Sequence, residues 1–359
     1  MMKEKIFPAH PGTELLSEIK RRNMNQKELA LRTGVSEKYI SMVINGSKDI
    51  SAALDRKLQI ALGSDRGYWL DKQAQYDKTM VEIAEEEGVT DEEIAVLTHL
   101  KEITATFISE GYIHNDCPPT EKVLQLRYFL RISNLTDILK YSQAQNVVYR
   151  AQVKGNVKVD PYVLFAWQRL CEKKTENMEV DTAFEPQKIV ARLPDFRRVM
   201  FDSAEKLQYE RLNDILSECG IVFLLVESYK GAPIQGFDRK MENGSIILCL
   251  TNRGKRADRF WFTLFHELGH LALNHVNERF VDFEAVKSDI EEAADEFARD
   301  NILDPEMYRT FINSAGYENK TAIVRFAKKA RVPAWVVVGR LQNDDLIPWS
   351  ACNDLIVNY

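Results

Sequence analysis

Two histidines four residues apart enclose a glutamate in the run His266-Glu267-Leu268-Gly269-His270. On an α-helix, positions i and i+4 lie on one face, one above the other. Both imidazoles can therefore bind a single zinc ion through ring nitrogens. Glu267 sits beside that face, within reach of a water on the metal. Zinc lowers the pKa of such a water to about 7, and a neighbouring carboxylate can take its proton and pass it to a leaving amine. The pattern thus points to Zn2+ as cofactor and peptide-bond hydrolysis as chemistry, with His266 and His270 as ligands and Glu267 as the catalytic base.

A catalytic zinc needs a third protein ligand and an open fourth position. Residues 290–298, Ile-Glu-Glu-Ala-Ala-Asp-Glu-Phe-Ala, form an acidic helical pattern with Ala294, Phe297 and Ala298 on an apolar side. Glu291 and Asp295 are four apart and share a face. Glu291 is the expected third ligand, and Asp295 the carboxylate that orients a ligating histidine from behind. Glu292 is the alternative ligand, one residue round the helix. His275, five residues past His270, is expected to be structural or peripheral.

The elements that must position these groups follow from periodicity. Residues 260–273 place Phe262, Leu264, Phe265, Leu268, Leu271 and Ala272 at helical spacing, which predicts a largely buried helix, and Gly269 leaves room for another backbone. Upstream, residues 204–218 read as a helix and 221–226 as a buried strand. Residues 234–237 and 246–250 supply two more strands, and 246–250 is expected to be an edge that aligns a substrate by strand addition. Trp167 reads as a core anchor. Tyr308, Tyr317 and Arg325 are candidates to stabilise an oxyanion only through their place downstream, and His10, His99 and His114 read as plain surface or core residues.

The N-terminus carries a different chemistry. In residues 25–36, Leu29, Ala30 and Val35 are core positions, Gly34 permits a tight turn between two short helices, and Ser36 caps the second. On that second helix Ile40 and Val43 or Ile44 face inward, while Glu37, Lys38, Ser41 and Met42 project outward. This geometry suits insertion into the major groove of double-stranded operator DNA. Asn45-Gly46 ends the helix, and a fourth runs over 51–62. Charge agrees: residues 1–72 hold 13 Lys or Arg against 9 Asp or Glu, a net +4, leaving −10 to the rest of a chain whose total is −6.

With 359 residues, 45% hydrophobic and 28% charged, the chain is expected to fold as more than one globular domain. Apolar runs such as 221–226 and 335–338 are far below the roughly 18 to 20 residues of a membrane span, and the charged start, Met1-Met2-Lys3-Glu4-Lys5, does not lead into an apolar stretch. The five cysteines (Cys117, Cys171, Cys219, Cys249, Cys352) are scattered and odd in number, which predicts free thiols and a cytoplasmic protein.

The Gln-x-x-Leu-Ala-x-x-x-Gly-Val-Ser-x-x-x-Ile-Ser pattern at 26–41 resembles the Xre family of phage-repressor-like helix-turn-helix domains, and His10-Pro11-Gly12 resembles its HigA-type antitoxin branch. That resemblance implies phosphate contacts from Gln26, Ser36, Asn45 and Lys48, base contacts from Glu37, Lys38 and Met42, and a homodimer on two half-sites. The Glu291…Asp295 spacing resembles the arrangement of gluzincin peptidases. Residues 262–270, 291–298 and 337–342 together resemble the ImmA/IrrE metallopeptidase family, although Asn301-Ile302-Leu303-Asp304-Pro305 replaces its usual turn and Ala293 stands where a second Glu is common. The expected fold is multi-domain and mainly α, with an α+β C-terminal part. A lambda-repressor-like helix-turn-helix spans 1–75, a helical middle region 76–185, and a gluzincin-like zinc peptidase domain with a small antiparallel sheet 186–359. The resemblance implies a transcriptional regulator or antitoxin acting on its own operon, with a repressor, this chain itself or a partner toxin as protein substrate. The competing reading is a non-catalytic regulator whose peptidase-like part docks a toxin or senses a signal.

Overall fold

In the computed structural model the described residues are 7–141, 159–178, 180, 182–202, 205–232, 236–241, 244–251, 256–275, 286–314 and 316–358. They are mainly helical and fall into two compact units, residues 1–94 with 117–124, and residues 95–116 with 125–359. The helical middle region expected over 76–185 is divided between them.

The first unit contains α1 (Pro11–Arg21), α2 (Gln26–Thr33), α3 (Glu37–Ile44), α4 (Ala52–Leu62) and α5 (Tyr68–Glu87). Its helix starts are written in the sequence. Asn25, Ser36 and Ser51 each accept a backbone N–H of the first turn, at 2.9, 3.1 and 3.3 Å. His10, an isolated histidine by sequence, does the same for α1 through Nδ1 on Gly12 N–H at 3.0 Å, ahead of Pro11 at the position where a missing N–H costs nothing. Gly34 closes α2 with φ of 62°, the left-handed conformation that other residues adopt only under strain. Leu15, Ile19, Leu29, Ile40, Val43, Leu54, Leu58 and Trp69 form the core of this unit.

Helices α6 (Asp91–His99), α7 (Lys101–Ser109) and α8 (Pro119–Leu130) follow, Pro119 opening the last of them directly after Pro118. In the second unit α9 (Pro161–Thr175) buries Trp167 completely, and its Nε1 donates to the carbonyl of Glu227 at 3.2 Å, as befits a core anchor. Then come α10 (Pro186–Val199), α11 (Glu205–Glu218), β1 (Ile221–Val226), β2 (Gly236–Lys240), β3 (Ile246–Thr251), α12 (Ala257–Ala272), α13 (Val286–Ile302), α14 (Pro305–Ile312), α15 (Lys320–Ala330) and α16 (Ala334–Asn343). The strand expected over 234–237 is described only from Gly236 onward; its first two residues lie outside the described ones. All five cysteines are free. Among the described residues no helix is long and apolar enough to cross a membrane.

Two sequence expectations about the sheet need correction. Its order is β1-β3-β2; β2 and β3 are antiparallel, but β1 and β3 are parallel, with Ile221 opposite Ile246 and Val226 opposite Thr251. The sheet is therefore mixed rather than antiparallel, because β3 turns back from β2 and inserts between it and β1. Strand 246–250, expected at an edge, is the central strand, and every residue of β3 is buried. An unbroken apolar run such as Ile-Ile-Leu-Cys-Leu suits a strand covered on both faces. Among the described strands β1 and β2 are each paired on one side only, and of the two it is β2 that lies against the metal-site helix.

Candidate metal centre

Helix α12 is held by one buried side: Trp261, Leu264, Phe265, Leu268 and Leu271 are fully buried in the main core of the second unit. Each such side chain contributes roughly 1.5–3 kcal/mol, so the helix cannot rotate without losing several of these contributions. Its other side meets α13. A Cβ at Gly269 would lie 3.1 Å from the carbonyl oxygen of Ala294 and 3.2 Å from its Cα, so glycine allows the two backbones this approach, as its place in the motif suggests. The same contact brings Glu291 and Asp295, on the adjacent turns of α13, opposite His266 and His270.

The result is a compact donor set. Nε2 of His266 and Nε2 of His270 are 3.0 Å apart; Glu291 places Oε2 3.4 Å from the first and Oε1 3.6 Å from the second. Zinc bound tetrahedrally at about 2.0–2.1 Å from each donor requires separations of about 3.3 Å, and the three distances bracket that value. Two imidazoles and one carboxylate, with one ligand atom from each within 4.8 Å of the others, match a catalytic set that keeps a fourth position open. The residues present fit the ion.

Asp295 Oδ1 lies 2.8 Å from His266 Nδ1. A carboxylate there fixes the tautomer: Nδ1–H donates to Asp295, and the Nε2 lone pair is left facing Glu291 and His270. His275 stands behind His270 in a comparable place, its Nδ1 3.2 Å from Nδ1 of His270. It is thus outside the three-residue set, in the peripheral position its spacing suggests. Glu292 is exposed and absent from the set, because one residue further round α13 its side chain turns to solvent.

Electrostatics favour a cation at this point. Burial works against a charged His266, yet hydrogen bonding to Asp295 and Glu291 and the charges of Glu267 and Glu291 prevail and raise its pKa to about 9. Burial likewise works against an ionised Glu291, but hydrogen bonds and charge from His266 and His270 hold it far below the usual carboxylate range. Without metal, the same carboxylates hold a proton where a metal would hold its positive charge.

Glu267 is 3% exposed and His270 is fully buried. What lies over Glu267 is not marked by any residue pattern: a Cβ at Gly236, on strand β2, would collide with Glu267 Oε1. With Glu267 in this place, a side chain at Gly236 would displace its carboxylate. Of the other candidates, Tyr308 is committed elsewhere, its hydroxyl donating to Asp344 at 2.9 Å; Tyr317 packs against the core and Arg325 is exposed.

In the first unit, Ser36, Glu37, Lys38, Asn45 and Lys48 are exposed at the two ends of α3, with Gln26 and Met42 half-buried. Ile40, Val43 and Ile44 turn inward. Lys48 lies with Nζ 4.5 Å over the Tyr39 ring, a contact not foreseen from spacing, and Asn45 Nδ2 reaches Ser41 Oγ at 3.5 Å.

Comparison with known proteins agrees with both halves. Residues 16–69 match the helix-turn-helix family model, and residues 221–342 match the IrrE N-terminal-like domain of the M78 peptidases. Virulence-associated protein A′ of Dichelobacter nodosus is 37% identical over 75 residues, 21% of this chain; the match spans 65% of that relative's length. A solved structure from Nostoc punctiforme, described as a proposed antidote protein of a plasmid maintenance system, is 25% identical and covers 28% of this chain and 97% of its own, with a TM-score of 0.20. The chain therefore carries an Xre-like helix-turn-helix domain near its N-terminus and an IrrE/ImmA-like M78 peptidase domain towards its C-terminus.

Proposed function

We propose that this chain is a DNA-binding transcriptional regulator whose second unit is a zinc endopeptidase. The observation that carries the reading is the His266, His270 and Glu291 donor set with Glu267 buried beside it. Zinc bound there would polarise a substrate carbonyl and acidify a water. Glu267 would accept the proton at its carboxylate and deliver it to the departing amine. Asp295 would keep His266 in the ligating tautomer. Strand β2, open on one side among the described strands and passing over Glu267 at Gly236, would hold an extended segment of the protein substrate by strand addition.

In the first unit, Gln26, Ser36, Asn45 and Lys48 would contact phosphates while Glu37, Lys38 and Met42 meet base edges, with two copies on operator half-sites one helical turn apart, about 34–36 Å. A regulator of this build would bind its own promoter and cut one repressor, toxin or copy of itself. The three-part division at about residues 75 and 185 belongs to the same reading.

The test uses cells expressing wild type or Glu267→Gln at equal levels, with labelling of new protein N-termini. A small set of N-termini present only with wild type supports a selective peptidase. Identical sets, with operator binding intact in both, would leave a non-catalytic regulator or antitoxin.

A further inference from the structure

A cavity of about 300 Å³ lies in the second unit, walled by α12, α13, α16 and Trp349. It begins where the metal centre ends: Thr263 is one helical turn before His266, and Arg299 one turn after Asp295. Its walls combine rings with positive charge. Trp261 and Trp335 are buried, Phe262 is half-buried, and Trp349 stands 47% exposed at the rim.

Four charged side chains line it: Asp258, Arg259, Arg299 and Arg340. Asp258 is answered by Arg256, which holds both its oxygens at 2.9 and 2.8 Å, and Arg340 by Asp344 at 2.7 Å. Arg259 lies 5.5 Å from the centre of the Trp349 ring. Neither Arg259 nor Arg299 has a carboxylate partner among the described residues. Two guanidiniums without a carboxylate partner among the described residues, set beside aromatic walls, suit a flat anion. The volume is at the lower end of small-molecule sites.

We propose that this cavity binds a small anion carried on an aromatic ring, the ring lying against Trp349 and Phe262 and the anion between Arg259 and Arg299. Because α12 and α13 also carry the metal ligands, the bound molecule braces the two helices whose contact assembles the metal centre, and the cavity is a place for an effector. A simple aromatic acid and a mononucleotide share this chemistry.

Isothermal titration of the full chain, with and without zinc, tests it with phenyl phosphate, inorganic phosphate, phenol and adenosine monophosphate. Phenyl phosphate or the nucleotide should bind at least about tenfold more tightly than phosphate or phenol, and whichever is tighter names the source. Arg299→Gln and Arg259→Gln should each weaken it by about tenfold, while Arg309→Gln, whose Arg309 is paired with Glu306, should not. Trp349→Ala should reduce the preference over inorganic phosphate. Arg259 is exposed, so its variant carries the test should Arg299→Gln fail to fold. Affinity no better than that of inorganic phosphate, or unchanged in the two arginine variants, overturns the proposal. Zinc content is measured in parallel and reports separately on the peptidase reading.

Discussion

The two units place their chemistry in opposite ways. In the helix-turn-helix unit the signals that start and turn α3 are local, Asn25 and Ser36 capping and Gly34 turning, although its inward face packs on α1, where Gly12 meets the Val43 backbone. In the second unit His266 and Glu291 are 25 positions apart, and only the packing of α12 on α13 brings them within 3.4 Å. A locally built surface should lose function in small, separate steps. An assembled centre should fail at once when one member is removed.

The largest expected effect breaks the second unit while leaving its fold. Glu267→Gln should retain zinc and melting temperature yet lower peptide cleavage by at least about 10²-fold; cleavage within a few-fold of wild type would remove Glu267 as base. Next is Asp295→Asn, which keeps volume but loses the charge on His266 Nδ1. Zinc affinity should fall by about 10- to 100-fold, read by competition with a chelating dye, and an unchanged affinity would show that Asp295 does not orient the ligand.

Smaller effects are expected from the first unit. Lys38→Ala should weaken operator binding by roughly 1 to 3 kcal/mol if it reads a base, and an unchanged gel shift would take it off the recognition surface. Ser36→Ala removes the cap of α3 and should cost about 1 kcal/mol of stability, visible in denaturant unfolding with zinc content untouched. Loss of zinc in that variant would contradict the separation of the two chemistries.

What the sequence made legible follows the same division. Capping residues, the turn glycine and the inward face of α3 are all short-range, so periodicity and residue type sufficed. The facing of His266, His270 and Glu291 was readable too, because a helix fixes i and i+4 on one face and Gly269 announces a close neighbour. The sheet was not: an apolar run at 246–251 is compatible with edge or centre, and only pairing on both sides decides. Gly236 was invisible for the same reason, since a glycine near a strand start looks like a turn until Glu267 is seen beneath it. The arginines of the neighbouring cavity come from three separate helices with no shared spacing.

Zinc per chain in purified wild type, Glu267→Gln and His270→Ala tests the central claim most directly. About one zinc is expected in the first two and none in the third. A folded wild type that takes up no zinc when it is supplied, or a His270→Ala variant that keeps it, would contradict a metal centre built from His266, His270 and Glu291.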